Sequence, residues 1–455
     1  MRIIGLILTL FIYTSAIAQE NSPYSRYGLG DILPGQSILN RSMGGIAAGF
    51  SDNQTVNFAN PASYGNFNYY EPSVMNRIAA TPSRTIFDFG FEINTRNLKQ
   101  IDPAAKYTAT NLIISYLQLG LPIRLRKANK KGVFLGVNFG LRPLSRINYK
   151  ILTLERKDGV DSIGNLYEGS GGVTEALIGA GLRIKNFNVG FNTGYRFGNK
   201  KYSTIVTILN DSVSHYQSNS ETATSFGGMF FTLGTQYEIK FKNKKDASRG
   251  STLRLGAYAS LKQTMNGSQD KLSQTVKYDV ENGIYQIDSV FKSTVDGSVQ
   301  YPLTWGAGFT YKDSSGHWTF GADYESTNWK DYRFFGQGDN VQNTWKIRAG
   351  AEYLPADRTT PIRKYFSFIK YRAGFYYGPS YVNIGQSMPE YAFSVGAGIP
   401  LKLRPSYGND QYSYLNTTVE FGSRGDKSSN LRESFLRISF GLSLSDIWFN
   451  RSKYY

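Results

Sequence analysis

The run Trp345-Lys346-Ile347-Arg348-Ala349-Gly350-Ala351-Glu352-Tyr353 decides the fold. Aromatic and aliphatic residues take every second position, charged residues and glycine take the others, and a period of two belongs to an extended strand with unlike faces. The pattern recurs upstream. Phe87, Phe89, Phe91 and Ile93 oppose Asp88, Gly90, Glu92 and Asn94; Val133, Leu135, Val137, Phe139 and Leu141 oppose Gly136, Asn138, Gly140 and Arg142. It also ends the chain, where Leu436, Ile438, Phe440, Leu442 and Leu444 face away from Arg437, Ser439, Gly441 and Ser443.

Repeating the count gives about fourteen strands, near 85–95, 112–126, 132–146, 174–185, 187–198, 226–241, 251–264, 300–312, 317–330, 343–354, 367–378, 390–403, 412–423 and 434–446. Tight connections such as Arg126 to Gly132, Lys185-Asn186 and Lys312 to Gly316 alternate with long polar ones near 147–173, 199–225 and 265–299, as in bacterial barrels with short periplasmic turns and longer external loops.

A soluble sandwich and a membrane barrel both show one greasy face, so the polar face has to decide between them. Here that face carries Gly234, Gly256, Gly306, Gly308, Gly321, Gly396 and Gly398. Glycine weakens a strand facing solvent but leaves room inside a lumen crowded by ions. Aromatics are abundant, with 33 Tyr and 29 Phe, and Tyr311, Trp318, Tyr353, Tyr377, Trp448 and Phe449 fall near strand ends where girdles form. No apolar stretch past the first residues reaches the ~20 needed by a spanning helix. The fold expected is therefore all-β: one transmembrane antiparallel barrel over 71–455, in the cell outer membrane.

Export is read from the N-terminus, where Arg2 precedes an apolar run from Ile3 to Tyr13 and Ala16-Ile17-Ala18 forms a cleavage pattern. Residues 1–18 are the expected signal peptide, with Gln19 first in the mature chain. Absence of cysteine argues against lipid attachment and disulfides. The net charge of +17 carries no nucleic-acid motif, and an exported chain seldom meets nucleic acid. Its basic runs at Arg126 to Lys131 and Lys240 to Lys245 suit lipid headgroups or protein partners.

Residues 19–70 lack strand period and are punctuated by glycine. Met43, Ile46, Ala47, Ala48 and Phe50 would be exposed apolar surface in a free tail, so the segment is expected to pack in the pore as a hatch, closing its periplasmic mouth. The hatch candidates are Gly28, Gly30, Gly44, Gly45, Asn60, Pro61 and Ala62.

Tyr27-Gly28-Leu29-Gly30, Arg41-Ser42-Met43-Gly44-Gly45-Ile46-Ala47, Ser51-Asp52-Asn53 and Asn60-Pro61-Ala62 resemble the N-terminal hatch of the FadL family of long-chain fatty acid and aromatic-hydrocarbon transporters. Tyr301 to Phe309, Trp318 to Tyr324 with Trp329, and Asn343 to Tyr353 are similar to that family's late strands, while the middle third matches in architecture only. The resemblance implies fourteen strands, a hatch, and passive uptake of fatty acids or other hydrophobic compounds with lateral release into outer-membrane lipid. The lateral gap in such channels lies in the third strand. Gly140 and Pro143 are the candidates here, although Pro143 is read more readily as ending the strand near the outer rim.

Arg142, Arg183, Arg254, Arg348 and Arg372, with Arg124 and Lys346, fall on the lumen side. They suit a carboxylate headgroup, or a network with Asp88, Glu92, Glu175, Glu238, Asp323, Glu352 and Glu420. The network is favoured because unpaired buried charge is costly. Catalysis is not expected: only His215, in an expected external loop, and His317, in a turn beside Ser314 and Ser315, are present, and neither sits with a convincing Ser and acidic partner. No cofactor or metal is implied, and Gly169-Ser170-Gly171-Gly172 lacks the ending of a phosphate loop and reads as a flexible loop. The alternative to transport is a structural or accessory barrel in an outer-membrane secretion or assembly complex, with protein partners. Asp446 to Tyr455 points that way, extending past the usual aromatic end of a last strand.

Overall fold

The computed structural model describes residues 22–67, 85–101, 104–123, 131–158, 161–209, 215–242, 250–279, 283–357, 360–361, 364–385, 388–401, 412–425 and 431–446. The signal at 1–18, the basic residues 126–130 and 243–245, Arg124 and the terminal residues 447–455 lie outside the described residues.

The strands in chain order are β1 (Asp31–Ile32), β2 (Thr85–Gln100), β3 (Ala105–Ile123), β4 (Val133–Lys157), β5 (Asp161–Ile184) and β6 (Phe187–Ile208). Then follow β7 (Gln217–Lys242), β8 (Gly250–Ser260), β9 (Gln263–Asp279), β10 (Gly283–Tyr301), β11 (Thr304–Lys312) and β12 (Trp318–Thr327). The last are β13 (Arg333–Phe334), β14 (Thr344–Tyr353), β15 (Lys370–Pro379), β16 (Pro389–Pro400), β17 (Tyr412–Arg424) and β18 (Leu431–Asp446).

Of these, β1 belongs to the segment inside the wall, and β13 adds two pairs to β10 just past the end of β12, extending that stave. β8 runs on into β9 along β7, and β10 runs on into β11, so each pair is a single stave; fourteen staves result, all antiparallel to their neighbours. β18 pairs with β2 from Leu431↔Gln100 to Asp446↔Thr85 and closes the ring. Closure matters because a backbone amide in hydrocarbon has no water to bond.

Which row faces lipid is settled by exposure. Along β16, Phe393 is 58% exposed and Val395 53%, whereas Ser394 between them is 4%. The same split sends Phe187, Val189 and Phe191 outward on β6 and buries Asn188 and Asn192. On β3 a bulge at Ser115, between the pairs Gly90↔Tyr116 and Phe91↔Ile114, switches the phase of the alternation. Leu112, Ile114 and Leu117 thereby all point outward while Tyr116 and Gln118 are buried.

Stave heights are unequal. β4, β5 and β7 have 25, 24 and 26 residues, but β12, β14 and β15 have 10 each. Since about 9–11 residues cross a bilayer, the tall side stands well clear of it. This corrects the expectation of long loops at 147–173, 199–225 and 265–299, which lie largely within strands, Gly169 to Gly172 included. Above the membrane both faces are wet, so the apolar alternation that marks a strand in sequence is lost while the hydrogen-bonded ladder continues. The turns at Lys185-Asn186 and Asp313 to His317 sit at the end where β2 starts and β18 finishes, the periplasmic end.

The outer row is testable. Phe393 stacks on Phe375 across β15 and β16, with ring centroids 4.7 Å apart. Phe393→Arg puts a cation in lipid near mid-stave and is expected to cost about 2–4 kcal/mol in reversible denaturant unfolding of the refolded barrel. Asp270→Arg on the tall wall should change stability by less than about 0.5 kcal/mol.

Candidate functional site

The lumen is filled by residues 22–67, which hold short turns at Pro23–Arg26 and Pro61–Asn66 and a one-turn helix, Ile38–Arg41, started by the Ser37 hydroxyl accepting from Asn40 N–H. The expected hatch residues are buried. Gly44 adopts φ +69° and lies against the backbone of Phe375, where a side chain on it would overlap that strand. Gly350 and Gly374 on the facing staves receive Met43 and Gly44 in turn. Backbone packs on backbone there because Gly350 and Gly374 present no Cβ to the plug.

At the periplasmic end Pro61 rests on Gly181 and Gly190. Asn60 ties the turn together: its Oδ1 accepts from Ala62 N–H at 3.1 Å and its Nδ2 donates to the Ala48 carbonyl at 2.7 Å. The sequence predicts the plug at this mouth. In the structure it also reaches the external one, where Gly28 N–H donates to Asp339 at 2.7 Å and the Gly28 carbonyl accepts from Lys200 Nζ at 2.7 Å. Tyr24 and Leu29 join Phe226, Trp329, Tyr332 and Tyr381 in an apolar lid, and the Gly30 carbonyl accepts from the Tyr381 hydroxyl.

Two ion clusters fasten the plug between β2 and β17. Arg41 lies 2.5 Å from Glu92 on β2 and pairs with Glu420 on β17. Asp31 pairs with Arg96 on β2 and, at 2.9 Å, with Arg424 on β17. All six side chains are buried. Burial alone would push the Asp31 carboxyl up, but Arg96 and Arg424 outweigh it and hold it well below the usual carboxylate range. A third support is Asp323, which accepts from the N–H groups of Ala47 and Ala48 at 2.5 and 2.8 Å.

Each of the five expected lumen arginines faces an acid. Arg142 pairs with Glu175 at 3.0 Å, Arg183 with Glu238 at 3.0 Å, Arg348 with Glu325 at 2.8 Å and Arg372 with Glu352 at 2.7 Å; Arg254 also pairs with Glu238. Arg196, Arg424 and Asp31 were not singled out from sequence. Arg196 sits between the rings of Phe230 and Tyr301 and pairs with Glu175 at 2.7 Å. The space left between plug and wall is a cavity of about 200 Å³ with Arg41, Arg196, Arg348, Glu325, Glu390 and Glu420 in its lining. It is smaller than an ordinary ligand pocket of roughly 300–1,000 Å³, and its lining mixes these ions with apolar residues such as Ile32, Leu33, Phe58, Leu144 and Trp329.

The seam between β3 and β4 is incomplete. β3 pairs with β4 only from Leu117↔Leu141 to Ile123↔Leu135. Gly140 lies within that zip, opposite Gln118; Pro143 lies just past its end, beside a register shift at Leu144. Beyond this point the plug takes the edge of β4 in place of β3. β1 pairs Ile32↔Ser145 and Asp31↔Arg146, Leu33 N–H donates to the Leu144 carbonyl at 2.9 Å, and Ser22 N–H to Asn148 at 3.3 Å. Proline has no N–H for a ladder, and Pro143 stands where the pairing changes hands. His317 is held by its Nδ1 against the Leu354 carbonyl in a periplasmic turn, and His215 lies at the far tip before β7.

Removing the central cation should loosen the plug. Arg41→Met leaves Glu92 and Glu420 buried without it and is expected to cost about 3–5 kcal/mol, to expose the plug to limited proteolysis, and to raise ion conductance in planar bilayers. For Asp31, whose carboxyl titrates lower in the folded than in the unfolded state, the stabilisation is complete above an unfolded value near ~3.9. It is lost only as pH falls through the depressed folded value. Protease resistance of residues 22–33 should accordingly be unchanged from about pH 8 to about pH 5 and fail in stronger acid.

No curated protein matches the chain. Among solved structures it is similar to the toluene transporter TodX of Pseudomonas putida, with 15% identity, 92% of this chain and 100% of that chain covered, and a TM-score of 0.54. A FadL homologue from Pseudomonas aeruginosa has 12% identity, covering 92% and 99%, with a TM-score of 0.52. The toluene transporter TbuX of Ralstonia pickettii has 14% identity, covering 90% and 98%, also with a TM-score of 0.52. The shared feature is the fold, a plugged FadL-type barrel of the outer membrane. A family model described as BamG matches residues 1–455, the full length, and the chain belongs to the BamG family.

Proposed function

We propose that this protein is an accessory barrel of an outer-membrane secretion or assembly complex, working as a structural element with its lumen shut. The observation that carries this reading is the double clamp of Arg41 and Asp31, which ties the plug to β2 and β17 by buried ion pairs. A second support is the small size of the remaining cavity, about 200 Å³, and the buried ion pairs that an apolar solute crossing it would have to pass. In this role the chain supplies surface: a lipid-facing belt of aromatics and a tall wall outside the membrane, both available to neighbouring proteins.

Passive uptake of hydrophobic compounds is the second reading. It is favoured by the half-zipped seam between β3 and β4, which residues 22–33 fill by noncovalent contacts alone, and by the fold shared with toluene transporters. In that case an apolar solute, fatty acids included, would leave sideways where the plug now sits.

Purification of the tagged full-length chain from native outer membranes separates the two. The accessory role requires protein partners recovered in stoichiometric amount, together with vesicles of the pure barrel that take up toluene no faster than empty vesicles. Solitary recovery, with uptake abolished when Ser25→Cys and Asn148→Cys are oxidised to lock the seam, would establish the second reading and sink the first.

A further inference from the structure

Outside the membrane the tall staves and the plug enclose a second cavity, of about 610 Å³, within the range of ligand sites. Its floor is a row of tyrosines. Tyr149 lies across Gly169, where any side chain would overlap its ring, and sits 6.2 Å from Tyr202; Tyr167 lies under the Arg26 guanidinium at 5.2 Å. The opposite side is Phe334 and Phe335, with ring centroids 5.2 Å apart.

Between the rings are polar groups of one kind, neutral amides and hydroxyls. Gln269, Gln337, Asn340 and Ser203 line the cleft. Of its charged groups, Lys200 is buried and committed to the Gly28 carbonyl, Asp339 is committed to the N–H groups of Gly28 and Asn340, and the exposed Arg26 guanidinium lies over the Tyr167 ring. The site thus offers flat aromatic faces and neutral hydrogen-bonding edges, with Lys200 and Asp339 turned to the protein and Arg26 seated on an aromatic ring.

That combination excludes several ligand classes in turn. A hydrocarbon would strand the amides without partners. An anionic headgroup would meet the Asp339 carboxylate, with Lys200 buried under the plug and Arg26 seated over the Tyr167 ring. A pyranose ring satisfies both halves of the lining, since its C–H faces lie against aromatic rings and its hydroxyls pair with planar amides. We propose that this cleft binds a neutral oligosaccharide at the cell surface. Because Arg26 and Tyr27 belong to the plug, the bound sugar would rest partly on the segment that closes the external mouth. The proposal is independent of whether the barrel is an accessory element or a channel.

Saturation-transfer NMR on the full-length barrel, in a detergent with no sugar headgroup, tests it. The probes are linear neutral hexasaccharides: an α-glucan, a β-glucan, a mannan and a xylan. At least one should receive saturation at its carbon-bound ring protons. Tyr167→Ala should weaken its binding about tenfold and Tyr167→Phe should restore it, with folding of both variants checked by the heat-modifiable shift in gel mobility. The proposal fails if none of the four binds. It fails equally if Tyr167→Ala and Phe335→Ala together leave binding unchanged, or if only toluene or an unstructured peptide occupies the cleft.

Discussion

A peptide group inside a bilayer must find its hydrogen bond within the protein, and for a strand this means two neighbours along its whole lipid-facing length. The pairing of β18 with β2 meets that demand by closing the sheet on itself. Once the ring is closed, the side chains have no freedom of assignment. Along the lipid-facing length every second residue is given to lipid and is mostly aromatic or aliphatic; the rest face inward. Glycines appear on the inner row where another backbone needs to come close, as at Gly350 and Gly374.

An inward row cut off from lipid has to be filled or hydrated, and this protein fills it with its own N-terminal segment. The apolar residues of that segment form small cores of their own, Leu39, Met43, Ile46 and Phe50 in one, Phe58, Tyr64 and Phe67 in another. Its charged residues are matched to the wall by ion pairs. Such pairs contribute modestly to net stability, because both partners lose hydration, but they reject any placement that leaves one charge alone. Arg41 and Asp31 therefore set where the plug sits more than how tightly it is held. At the β3–β4 seam the same segment serves a further need, giving the edge of β4 the hydrogen bonds that β3 does not.

The staves were legible in sequence wherever one face met lipid, because the two environments force a period of two. That signal located β12 and β14 to within a few residues and failed above the membrane, where Tyr202-Ser203-Thr204 and similar runs have water on both sides. The bulge at Ser115 left a break in the alternation of β3 without a local mark to explain it. Inward-facing charges were readable as a row, but their partners were not. Arg41 and Glu420 are 379 residues apart in the chain, and nothing local in either neighbourhood names the other. Asp31 lacked even the row to place it, since the plug has no repeating period.

The unequal height of the staves has a consequence for how such a molecule sits among its neighbours. A cylinder of even rim looks alike from every bearing and is free to spin in the membrane plane without changing what it presents. Here the sheet from β4 to β10 rises on one flank only, while β12, β14 and β15 stop short on the other. The molecule consequently has a front and a back. Anything that contacts it above the lipid meets a defined compass direction, and two such barrels packed side by side could adopt only a few of the arrangements open to a symmetric pore.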